Sequence, residues 1–170
     1  SASKASNYPV AAVRTAFDNA AHGALSVGSG SVAYGAYATL LAMHFQTLRN
    51  QGNLNNEIGL PLTLLQLTAR HERAVLEMGM YNVGEIARLC QLARPKIGVV
   101  TNVGYAHIEN FDSIDGIAAA KQELVEALGK DGVAVLNADD PRVAAMAKAH
   151  AGRTVLYGQA SAADVRAEDV

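Results

Sequence analysis

The chain has a single cysteine, Cys90, and no tryptophan in 170 residues. One thiol excludes an internal disulfide and suits a reducing compartment. Nor is there a basic run: 14 Lys and Arg stand against 16 Asp and Glu, for a net charge of -2. Neutralising a nucleic-acid backbone needs clustered cations, so the composition argues against nucleic acid as a partner. Between Lys4 and Lys96 there is no lysine at all. The one long uncharged stretch, Ala24 to Met43, is diluted by Gly28, Gly30, Gly35 and hydroxyl residues. It lacks the aromatic belt and cationic flank of a membrane anchor, which argues against a membrane partner. The N-terminus also lacks the charged-then-apolar layout of a secretion signal. The expected location is cytoplasmic.

What is present reads as an alternation of strands and helices. Residues 1–8 are small and polar and predict a flexible tail. Val10, Val13 and Phe17 fall at helical spacing behind Pro9, which predicts a helix over 9–21. Ala24–Val27 reads as a short strand, followed by the turn Gly28-Ser29-Gly30-Ser31 and a helix to about Phe45. That layout either cradles a phosphate on backbone N–H groups or is a plain flexible turn. A short helix is expected over Leu60–Leu67, a strand over Arg73–Leu76 ending on Glu77, and a helix over Gly84–Leu92 with Cys90 inert on its apolar side. Ile97–Val100 and Val133–Leu136 read as buried strands, Val143–His150 as a helix and Thr154–Tyr157 as a strand. Such alternation predicts an α/β fold, a mostly parallel sheet flanked by helices on both faces.

The polar candidates gather where the strands end. Asn53, Asn55 and Asn56 either form a turn or offer side-chain amides to a polar substrate. Glu77, at the carboxyl end of a buried strand, is a candidate metal ligand or base, or a solvated charge. After Val100 comes a loop carrying Asn102, His107 and Glu109, then a helix from about Ile114 that Asp112 or Ser113 caps. On that helix Ile117, Ala118, Lys121, Leu124, Val125 and Leu128 share one stripe. A lysine in an apolar stripe either snorkels to the edge or is held with a perturbed charge.

From Gln51 to Val170 the chain resembles the central domain of the Mur ligases, and among them those that add D-alanyl-D-alanine to a UDP-muramoyl tripeptide. The resemblance rests on ordered blocks: Gly52-Asn53-Leu54-Asn55-Asn56-Glu57-Ile58-Gly59, Leu76-Glu77-Met78-Gly79, Thr101-Asn102-Val103-Gly104, Ala106-His107-Ile108-Glu109, Ala120-Lys121-Gln122-Glu123-Leu124 and Leu136-Asn137-Ala138-Asp139-Asp140-Pro141. It implies a P-loop NTPase-like domain over 9–170, incomplete at its C-terminal end. It also implies an ATP- and magnesium-dependent ligase of peptidoglycan precursors, acting through an acyl phosphate that an amino group displaces. By the same resemblance Glu77, His107 and Lys121 are magnesium ligands, Lys121 after carbamylation, and Lys121 and His107 are catalytic. Gly28, Ser29, Gly30, Ser31 and Asn102 would face the nucleotide, and Asn53, Asn55 and Asn56 the muramoyl substrate. The partners implied are a UDP-muramoyl-peptide-like substrate, an amino acid or dipeptide, and amino- and carboxyl-terminal ligase domains. One departure is plain: the family's Gly-Lys-Thr phosphate loop is replaced by Val27-Gly28-Ser29-Gly30-Ser31-Val32. Without its lysine the charge stabilisation of phosphoryl transfer is weakened. That argues against normal ATP turnover and leaves a non-catalytic binding or assembly role open.

Overall fold

The computed structural model describes residues 24–28, 31–105 and 108–168, with side chains from Ala33 onward. The expected tail and the helix over 9–21, like Ser29, Gly30 and His107, lie outside the described residues. In chain order the elements are β1 (Ala24–Gly28), α1 (Ser31–Ala42), β2 (Thr47–Arg49), α2 (Gly59–Leu64), β3 (Arg73–Met78) and α3 (Glu85–Ala93). Then follow β4 (Ile97–Val100), α4 (Ile114–Glu126), β5 (Val133–Asn137), α5 (Pro141–Ala145), β6 (Arg153–Gly158) and β7 (Val165–Arg166). Single 3-10 turns occupy Ile108–Asn110 and Met146–Ala149.

Every strand pair is parallel, in the order β2-β3-β1-β4-β5-β6-β7. From β1 the chain therefore passes to the edge strand β2, returns to β3 beside β1, then crosses β1 to β4 and winds outward through β5 and β6 to β7. Around β1 the direction reverses, and loops leaving neighbouring strand ends part there to form a crevice. Pairing places Glu77 of β3 beside Val27 of β1, and Val27 beside Val99 of β4.

The pleat sorts the strand residues between two cores. Leu76, Met78, Val100, Ala134 and Leu136 pack on one face with Ile86, Leu89, Ile117 and Leu124 from α3 and α4. Val75, Val99, Val133 and Val135 pack on the other with Tyr34, Tyr37, Ala38 and Leu41 of α1. Since both faces are covered, the central strands read as continuous apolar runs. Glu123 of α4 ties the two helices of the first face together: its carboxylate accepts from the Gly84 N–H at 2.5 Å and the Ala87 N–H at 2.9 Å, at the start of α3. Cys90 lies in the same core, where burial pushes its thiol up to about 12, so the inert reading holds.

Several boundaries differ from those expected. The first helix stops at Ala42, and the chain then forms β2, too short to show an alternation and held by parallel pairing with β3. In place of a helix over Val143–His150, Asp140 caps one that starts at Pro141 and gives way to a 3-10 turn at Met146. β7 adds two residues at the sheet edge, inside a stretch that looks merely polar.

Candidate functional site

Glu77 is the next-to-last residue of β3, so its side chain stands at the mouth of the crevice. It is only 9% exposed, and burial raises its carboxyl above the usual range against the pull of a hydrogen bond from Asn55. Gly79 makes that bond possible. A Cβ there would meet the Asn55 side chain at 3.0 Å, and the Gly79 N–H donates to the Asn55 carbonyl at 2.8 Å.

A residue that sequence reasoning missed holds the same corner. Asn50, 2% exposed, donates from Nδ2 to the carbonyls of Leu54 at 2.9 Å and Glu77 at 3.1 Å. Its Oδ1 accepts from the Glu77 N–H at 3.0 Å. It thereby extends the ladder past the end of β2 and fastens the asparagine-rich loop to the strand that carries Glu77. Only its position after an unrecognised strand could have signalled this.

The three loop asparagines have separate fates. Asn55 reaches Glu77. Asn56 accepts from the Ile58 and Gly59 N–H groups at 3.1 and 2.9 Å and so starts α2, while Asn53 is exposed. Gly59 is obligatory at that start, because a Cβ would lie 2.3 Å from the Leu54 Cα.

On the other side of β1, Ser113 caps α4 by accepting from the Gly116 N–H at 3.3 Å. The helix delivers Lys121 inward. Lys121 is 5% exposed, and its Nζ donates to the Asn102 carbonyl at 2.6 Å, so the snorkelling alternative is overturned. Burial lowers its ammonium from 10.5 to about 8, with the Asp140 carboxylate pulling the other way. The Asn102 side chain itself is exposed at the end of the sheet. Two further residues grip the loop after β4: Asn137 Nδ2 donates to the Thr101 carbonyl at 2.9 Å, and Asp140 Oδ2 accepts from the Val103 N–H at 2.7 Å.

The backbone of Gly28 closes β1 and Ser31 opens α1, so the strand and the helix expected there are present at the centre of the sheet. Glu77 and Val99 are two strands apart in one row, about 10 Å at the usual spacing. Lys121 and Asn102 lie just past Val99, which brings Glu77, Asn55, Asn102, Lys121 and the end of β1 at Gly28 to the same end of the sheet. For a divalent cation the donor set is partial: among the described residues no three His, Cys, Asp or Glu side chains cluster as ligands. The Glu77 carboxylate, costly to bury as an anion, fits a cation. Lys121 fits one only when its nitrogen is not an ammonium.

Residues 26–170 match the Mur ligase middle domain family. The chain belongs to that family. Over 133 residues it is 45% identical to the UDP-N-acetylmuramoyl-tripeptide--D-alanyl-D-alanine ligase of Mycobacterium tuberculosis, a match covering 78% of this chain and 26% of the relative. In fold it is similar to MurF from Acinetobacter baumannii, with TM-score 0.81 and 29% identity over 89% of this chain and 34% of that one. It is likewise similar to MurF from Thermotoga maritima in complex with ADP, with TM-score 0.77 and 29% identity over 92% of this chain and 37% of that one. The chain thus spans about a quarter of the curated relative. Among the described residues of this Mur ligase middle domain no helix is long and apolar enough to cross a membrane.

Proposed function

We propose that this Mur ligase middle domain supplies the ATP- and magnesium-handling part of a cytoplasmic ligase that forms an amide bond on a UDP-muramoyl-peptide-like substrate, with an amino acid or dipeptide as the amino component. The observation that carries the reading is the burial of Lys121 at 5% exposure with its nitrogen pinned to the Asn102 carbonyl. Burial favours the neutral amine over the ammonium. A neutral amine attacks carbon dioxide: the N–C bond forms, one N–H proton leaves to solvent, and a carbamate anion remains on Nζ. The nitrogen keeps one N–H for Asn102, and the former cation becomes an anionic oxygen donor.

Magnesium would be held by Glu77, His107 and the carbamylated Lys121, and when bound supplies neutralisation of phosphate charge. Each residue of the chain then has a task of its own. Asn55 and Asn50 keep the Glu77 carboxylate at the crevice mouth, the phosphates would lie between the end of β1 at Gly28 and the start of α1 at Ser31, and Asn53, Asn55 and Asn56 place the loop next to the muramoyl substrate. A substrate carboxylate oxygen would attack the γ-phosphorus of ATP, the bond from that phosphorus to the β,γ-bridging oxygen would break, and ADP would leave as the acyl phosphate forms. The incoming amine attacks that carbonyl carbon, phosphate leaves, and the amine loses a proton.

Isothermal titration of the chain with ATP and magnesium chloride tests this reading. Heat of binding is expected, and none from the longest natural chain sinks it. A second reading, a binding or assembly role without nucleotide turnover, is favoured by the absence of any lysine from Ala5 to Pro95. Gly30→Lys and Val32→Lys separate the two. ATP binding recovered in either variant marks a damaged nucleotide site, whereas recovery in neither favours the binding role.

A further inference from the structure

The carbonyl that holds Lys121 belongs to the peptide unit between Asn102 and Val103, and that unit is gripped at both ends. Its C=O accepts from Lys121 Nζ at 2.6 Å, and its N–H donates to Asp140 Oδ2 at 2.7 Å. A trans peptide is planar, with C=O and N–H pointing in opposite directions. Fixing the N–H toward Asp140 therefore aims the C=O away from Asp140 and at Lys121. The preceding unit is held as well, since the Thr101 carbonyl accepts from Asn137 Nδ2 at 2.9 Å.

Both anchors are themselves immobilised at the junction of β5 and α5. The second oxygen of Asp140 caps α5 through the N–H groups of Arg142 and Val143, at 2.9 and 3.2 Å. Asn137 Oδ1 accepts from the Asp139 N–H at 2.9 Å. Asn137 also ends β5, where Leu136 pairs with Val100 of β4, so the anchor and the loop it holds leave adjacent strands.

We propose that Asp140 and Asn137 are positioning residues for Lys121, acting through the peptide plane between Asn102 and Val103. A carbamate nitrogen is planar with three substituents, so its bond to Cε and an N–H fixed on the Asn102 carbonyl leave one direction for the group it acquires, which is aimed rather than free to sweep the crevice. This rests on the reading of Lys121 as the functional nitrogen. The carboxyl end of β5 thereby becomes part of the site.

Asn137→Ala tests the proposal without changing charge. In buffer depleted of carbon dioxide, the readouts are amide exchange at Val103 and acetylation of Lys121 by acetic anhydride, compared with Lys96, Lys130 and Lys148. Losing one buried hydrogen bond to the loop should raise Lys121 acetylation and Val103 exchange about tenfold. The other lysines and the amides of Arg142 and Val143 should keep their wild-type rates. Asp140→Asn, which keeps an oxygen for capping α5 but puts an amide opposite the Val103 N–H, should do the same. Unchanged Lys121 and Val103 in a folded variant, or an equal rise at every lysine, overturns the proposal. Should neither variant fold, the unmutated chain decides: Val103 exchange at least about tenfold slower than at Gly104 and Tyr105 supports the clamp, and equal rates overturn it. Magnesium chloride added with bicarbonate reads the metal site separately. No effect of it on the unmutated chain overturns the function proposed above, while the metal-free readouts still decide the clamp.

Discussion

Lys121→Met keeps the length of the side chain and removes its nitrogen, which makes the energetic cost of burying that nitrogen measurable. Burial lowers the ammonium of Lys121 from 10.5 to about 8. The unfolded chain holds this proton up to 10.5, whereas the folded chain releases it near 8. Between those values the unfolded state binds more protons, so wild-type stability rises with pH across that window and is flat below it. At about 1.4 kcal/mol per pH unit, the rise is about 3 kcal/mol. Methionine carries no such penalty, but it strands the Asn102 carbonyl, at a cost of about 1–3 kcal/mol. The two effects are similar in size at pH 7, so the variant should lie within about 2 kcal/mol of wild type there. The pH dependence of the difference is the sharper quantity. Urea unfolding of both chains from pH 7 to 10.5, in buffer free of carbon dioxide, should show it moving by about 3 kcal/mol in favour of wild type. A difference that stays constant across that range would refute the argument that the nitrogen is desolvated.

Glu77→Gln should stabilise the domain at pH 7. The raised carboxyl of Glu77 means the folded state binds the proton more tightly, so stability is fully present below 4.5 and falls as pH rises past it; the gain from glutamine should vanish below that pH in denaturant titrations. Gly79→Ala brings a Cβ to 3.0 Å from the Asn55 amide and should cost about 1–3 kcal/mol, read as a lower thermal midpoint. Glu123→Ala removes the acceptor shared by Gly84 and Ala87 and should cost about 1–2 kcal/mol, with faster amide exchange confined to the first turn of α3.

Much of the architecture was legible from local pattern. Ile97–Val100 is apolar throughout because both faces of β4 are covered, and its expected bounds match. The stripe containing Ile117, Lys121, Leu124 and Val125 marks the buried face of α4, and Ser113 is its cap, one of two residues that fitted the position. β2 and β7 were not legible, since three and two residues carry no readable period and exist only through the partner strand beside them. The short form of α5 was equally hidden, because Asp140 caps it from a position shared with the loop after β4.

Within the site the division falls in the same place. Glu77 at a strand end, the asparagine loop and a lysine among apolar residues are local features, and local side-chain chemistry was enough to single them out. The sequence also determined, by an absence no fold can repair, that residues 5–95 hold no lysine. What only the tertiary structure decided is how those residues are held. Asn50 grips Glu77 across 27 positions, Asn137 reaches Thr101 across 36, and Asp140 reaches Val103 across 37. A side-chain period of two or 3.6 reports which way a residue faces, not which distant strand end lies beside it. That neighbour is set by the order of the sheet, which places β4 between β1 and β5 and so turns three separate loops into one crevice.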